Sequence, residues 1–156
     1  MSHAFKISAA LFVSSSLLVT GCATMGQTAN TSANNEYVLP EQINEGYWAA
    51  TSLISNEAVV VNFRSGVANN YSFKCNADGS YRQIGAESYK MVPSSTGIGL
   101  QTEGEPVFSE ISVTSFVPKN SMSINQQPTN PEIRKALPNG LNYNYEYTPT
   151  LTPICP

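Results

Sequence analysis

Near the end of the chain, Leu141-Asn142-Tyr143-Asn144-Tyr145-Glu146-Tyr147-Thr148 alternates apolar and polar residues without a break. In an extended chain every second side chain shares a face, so Leu141, Tyr143, Tyr145 and Tyr147 line one side of a strand. A helix would scatter the same four around its axis. Three tyrosines in a row on one face also need a partner surface to cover them, and a lone strand has none. The run therefore requires a sheet, and Pro149, Pro153 and Pro156 after it remove the donors that would let pairing continue.

The same period of two recurs upstream. Val59, Val61 and Phe63 alternate with Val60, Asn62 and Arg64, and Tyr71, Phe73 and Cys75 alternate with Asn70, Ser72 and Lys74. Each trio is expected on one face of a half-buried antiparallel strand. Asn76-Ala77-Asp78-Gly79 supplies turn chemistry between the second of these and the next segment, which carries Tyr89 and Met91. Ile98 and Leu100 mark a further strand. Val107 to Val117 is a longer one whose broken alternation predicts a bulge, and Met122 and Ile124 mark the next. One short helix is expected near residues 131–137: Asn130 caps, Pro131 suits the first turn, and Pro138-Asn139-Gly140 stops it.

About eight short strands with one helix predict an all-β fold, an antiparallel barrel or curled sheet, with a β-sandwich as the competing arrangement. Charged residues make up only 12% of the chain, and the abundance of Asn, Ser, Thr, Gly and Pro suits turn-rich β structure. The opening Gly46-Tyr47-Trp48 followed by a strand meander resembles the lipocalin-like, or calycin, barrels over about residues 45 to 127. That resemblance implies Trp48 near the base of a barrel whose interior holds either core side chains or a small apolar ligand.

At the other end, Ile7 to Thr20 is uncharged and apolar after Lys6, and closes in Leu18-Val19-Thr20-Gly21-Cys22. At about 14 residues the segment is too short to span a bilayer as a helix. It resembles the signal peptide and lipobox of a bacterial lipoprotein precursor. The resemblance implies residues 1–21 as a cleaved signal, Cys22 as the acylated N-terminus, and anchoring in a membrane by acyl chains contributing about 0.8 kcal/mol per methylene. Ala23, rather than Asp, implies sorting to the outer membrane of a Gram-negative envelope; a Gram-positive surface remains the alternative. Residues 22–44, uncharged up to Asn35 and poor in apolar bulk, read as a lipidated tether, and residues 45–156 as a single β domain.

Several classes of chemistry fall away. The sole histidine, His3, lies in the signal, so the mature chain has no Ser-His-Asp triad, Cys-His pair or histidine-ligated zinc. Lys6 is one of 8 basic residues set against 11 acidic ones, so its removal makes the mature chain more acidic than the full chain's net charge of −3. With no basic stripe, nucleic acid is not an expected partner. With Cys22 committed to lipid, Cys75 and Cys155 remain, and an oxidising envelope favours their pairing over two separate buried thiols.

The candidate functional or core residues are Trp48, Phe63, Tyr71, Phe73, Tyr143, Tyr145 and Tyr147, which would wall a pocket or fill a core. Glu103 and Glu105 flank Gly104 in a solvated turn that is short of the oxygens calcium needs. Asp78 is explained by its turn, and Arg64, Lys74 and Lys90 fall on polar faces. No catalytic residues, metal or cofactor are expected. The reading is a non-enzymatic outer-membrane lipoprotein that binds a small apolar ligand or supports envelope assembly through a protein partner. A lysozyme-inhibiting module is the alternative, although the Ser-Gly-x-x-Tyr loop of the membrane-bound lysozyme inhibitors has its counterpart in Ser65-Gly66 with Tyr71 too far along.

Overall fold

A computed structural model describes residues 36–52 and 56–155. The signal segment, Cys22 and most of the tether lie outside those residues. Eight antiparallel strands, β1 (Tyr47–Ser52), β2 (Glu57–Arg64), β3 (Val67–Cys75), β4 (Tyr81–Pro93), β5 (Ile98–Gln101), β6 (Val107–Val117), β7 (Ser121–Pro128) and β8 (Leu141–Thr148), pair in sequence order into a closed barrel. The expected bulge in β6 is present as a register shift between Val113 and Ser115. The helix α1 spans Pro131–Ala136, where the Asn130 side chain accepts from the Glu132 N–H at 2.9 Å and from the Ile133 N–H at 3.4 Å. These bonds satisfy donors that a helix start leaves orphaned.

Closure is concentrated at one end. β1 meets β8 only through Tyr47, Trp48 and Ala49, and β4 meets β5 only from Lys90 to Pro93. Beyond these pairs the two seams have no Cα partners among the described residues, although all eight strands belong to one ring. At the β4–β5 seam the cause is strand length: β4 has 13 residues and β5 only 4.

The interior is packed. Trp48, Phe116 and Met122 are fully buried among Phe63, Ala68, Leu100, Ile124 and Tyr145. Trp48 lies 5.4 Å from the Phe116 ring and 5.6 Å from that of Tyr147, and its indole N–H donates to the Ile43 carbonyl at 2.8 Å. Gly46 precedes it at φ +69°, where a Cβ would come within 2.6 Å of the Tyr147 ring and 2.9 Å of the Thr148 carbonyl. The Gly-x-Trp start thus has a local cause: only glycine lets β1 begin this close to the end of β8.

A second core forms on the outer face of β1–β3. Ala49, Ala58, Val60, Phe73 and Cys75 are buried there with Tyr47, Tyr71 and the tail residues Leu151, Ile154 and Cys155. Val60, assigned to a polar face by the alternation, is fully buried. The correction has a plain cause: the proline-rich tail folds back over the outer face. Cys75 and Cys155 hold it there at disulfide distance, with Cα atoms 5.6 Å apart. Tyr71 and Phe73 accordingly face out beneath the tail rather than into the barrel.

The described part of the expected tether is also docked. The Tyr37 N–H donates to the Ser94 carbonyl at 2.7 Å, and its hydroxyl accepts from the Val113 N–H at 2.6 Å. Leu39 packs on the inner core, and the 3-10 turn Glu41–Asn44 buries Ile43. These residues close the barrel base as part of the domain.

Candidate functional site

The residues marked in the sequence divide between the two cores. Trp48, Phe63 and Tyr145 are buried inside the barrel, with Tyr143 and Tyr147 half-buried beside them, while Phe73 and Tyr71 belong to the outer core. The tyrosine ladder is therefore a core wall. Burial raises the Tyr143 phenol pKa, and burial together with neighbouring Tyr143 raises that of Tyr145 well above the ordinary range. Burial likewise raises Tyr37 against the lowering pull of its Val113 bond, and burial with the adjacent Glu87 carboxylate raises Tyr89.

A raised folded pKa means the native state holds its phenolic protons after the unfolded chain has lost them. This stabilising contribution is complete below about pH 10, the unfolded value, and is lost as pH climbs through the folded values. Denaturant midpoints measured from pH 7 to 12 should stay flat with respect to these groups up to about pH 10 and then fall. A midpoint unmoved by pH 12 would contradict the buried ladder.

The charged candidates lie at the surface. Lys74 sits 3.9 Å from Glu57, the Arg64 guanidinium lies 5.4 Å from the Tyr47 ring centroid, and Lys90 is exposed. The Ser80 hydroxyl and N–H donate to the exposed Asp78 carboxylate and lower its pKa, which accounts for the residue as a turn element. Glu103 and Glu105 are exposed in the β5–β6 turn, and no three His, Cys, Asp or Glu side chains gather as a metal site among the described residues. Ser65 and Gly66 form the β2–β3 turn with positive φ, while Tyr71 lies under the tail beside Tyr47. That separation removes the tyrosine from the turn in which the lysozyme-inhibitor pattern would use it.

What the sequence does not single out is the free edge of β4. The Met91 N–H bonds to Gly66 on the β3 side. Because backbone groups alternate sides along a strand, Ala86 and Ser88 turn theirs to the opposite edge. No described strand pairs there between Tyr81 and Tyr89. Tyr81 and Ile84 are exposed on this stretch at 46% and 44%, among the few large apolar side chains at the surface. A groove of about 410 Å³ opens where β4 and β5 part, lined by Val67, Ser88, Tyr89, Lys90, Gln101 and Glu103. Of these, Tyr89 donates its hydroxyl to the Glu87 carboxylate and sets its ring edge-on against Phe108 at 5.0 Å, both rings packing on the inner core. The only hint in the sequence is the mismatch between a long segment after Asp78-Gly79 and the short Ile98–Leu100 run that must pair with it.

No family model, curated protein or solved structure matches the chain. The site must therefore be read from its own chemistry.

Proposed function

We propose that the chain is an outer-membrane lipoprotein, anchored by acyl chains on Cys22, whose barrel is a non-enzymatic protein-binding module that supports envelope assembly. The observation that carries this reading is the open edge of β4. An unpaired strand edge is a template for another extended chain, and proteins that do not use it blunt it with charge, bulges or cover. Here a bulge lies at Ser72/Phe73 and the charges of Arg82 and Glu87 stand on the same stretch, yet Tyr81 and Ile84 remain exposed beside the unpaired backbone. A partner strand would complete hydrogen bonds each worth about 0.5–1.5 kcal/mol net and cover both side chains. The packed interior favours this over carriage of a small apolar ligand inside the barrel.

Anchoring and edge are compatible in layout. The leader joins at Tyr37 beside Ser94, just past the Pro93 end of β4, a strand's length from the β3–β4 turn. On this reading the anchored end is the base, where Tyr37 docks beside Ser94, and β4 extends from there to the β3–β4 turn.

Two variants test the two halves. Cys22→Ala should leave an unprocessed precursor without acyl label, and normal labelling would contradict the anchor. Ala86→Pro removes an edge donor at a position where proline is tolerated. It should leave the unfolding midpoint near that of the unaltered protein while abolishing co-purification of envelope proteins. Undiminished co-purification would contradict strand addition.

A further inference from the structure

On the side of the barrel away from the tail, α1 and the outer face of β6–β7 border an open groove of about 470 Å³ lined by Thr96, Glu110, Ser112, Gln127, Arg134 and Pro138. Its volume is within the range of small-molecule sites, but its lining is polar. One carboxylate and one guanidinium border it. Glu110 is held by Ser94, whose hydroxyl donates to Oε1 at 2.8 Å, and by the Thr96 hydroxyl on the same oxygen. Gly97 admits this arrangement, since a Cβ there would come within 2.9 Å of Glu110 Cγ and Oε1. Arg134 is held from the opposite side, its Nε–H donating to the Pro128 carbonyl at 3.1 Å. Among the described residues, no ion pair within 4.0 Å involves either side chain.

Opposite charges that share a groove ordinarily close on each other for a small gain. Here each is tied to its own wall, which leaves Glu110 Oε2 and the terminal guanidinium nitrogens to something between them. We infer that the groove binds a small zwitterion, with its ammonium group at Glu110 and its carboxylate or phosphate at Arg134. Both contacts are charge-assisted, the second with the fork geometry suited to an oxyanion. Ser112, Thr96 and Gln127 serve the neutral polar atoms, and Pro138 supplies the one apolar wall. The same chemistry is offered by a free amino acid or short peptide and by the headgroup of an ethanolamine phospholipid. The site depends on neither the lipid anchor nor the β4 edge.

Calorimetric titration of the purified full-length protein with glycylglycine and with phosphoethanolamine tests the inference, with ethanolamine and acetate as half-probes. At least one zwitterion should bind, and each half-probe should bind at least ten-fold more weakly. Glu110→Gln and Arg134→Gln should each weaken the zwitterion ten-fold or more at an unchanged melting temperature, while Lys119→Gln leaves it intact. Preference for phosphatidylethanolamine vesicles over phosphatidylcholine vesicles assigns the headgroup; binding of the soluble probes without that preference assigns the free molecule. No binding of either zwitterion at millimolar concentration, half-probes as tight as the whole, or indifference to both groove variants would overturn the site.

Discussion

Trp48→Ala should destabilise the domain by about 3–5 kcal/mol, the cost of emptying a fully buried aromatic site. The indole fills the barrel base between Phe116 and Tyr147, and its N–H holds the Ile43 carbonyl, which ties the 3-10 turn to the first strand. Alanine leaves a cavity beside two large rings and releases the turn at once. Trp48→Phe separates the two effects: it restores most of the volume but leaves the carbonyl unsatisfied, at about 1–3 kcal/mol. Urea unfolding followed by far-ultraviolet circular dichroism provides the readout, because the variant lacks the chain's only tryptophan. A cost for Trp48→Ala below about 1 kcal/mol would mean that the base is not closed as described.

Replacing both Cys75 and Cys155 by serine should lower stability by up to about 4–4.5 kcal/mol, the chain-entropy value for a loop of this length. The sequence separation across the pair is 80 residues. The distinctive consequence is local. Once released, Leu151 and Ile154 leave the outer face, and Ala58, Val60 and Phe73 meet water. The double variant should therefore bind an apolar dye and lose its tail to protease under conditions where the barrel survives. Leu151→Ser with Ile154→Ser, keeping the cysteines, should give a smaller loss and no proteolytic release. If both thiols of the native protein react before reductant is added, the clip is absent and the argument for the second core fails.

Much of this fold was legible because burial follows strand parity. The Tyr143, Tyr145, Tyr147 wall, the bulge in Val107–Val117 and the Asn130-Pro131 helix start each follow from local rules, and each stands in the structure. What local rules miss is what lies on top. Parity separates the two faces of β2 but says nothing of a tail returning from residues 151–155 to bury Val60. Tyr37, Leu39 and Ile43 are isolated apolar residues in a polar leader, and their docking depends on tertiary partners such as Val113 and Trp48. The same limit hid both candidate sites. The β4 edge arises from the unequal lengths of two neighbours, and the groove from residues on β4–β5, β6, β7 and α1 that share no motif.

The most direct measurement is photo-crosslinking in intact cells from a reactive residue at position 84, with position 142 on the far outer face as control. Strand addition on β4 predicts crosslinks from position 84 to a discrete envelope protein, lost in the Ala86→Pro background and absent from position 142. Equal crosslinking from both positions, or none from position 84, would contradict the account.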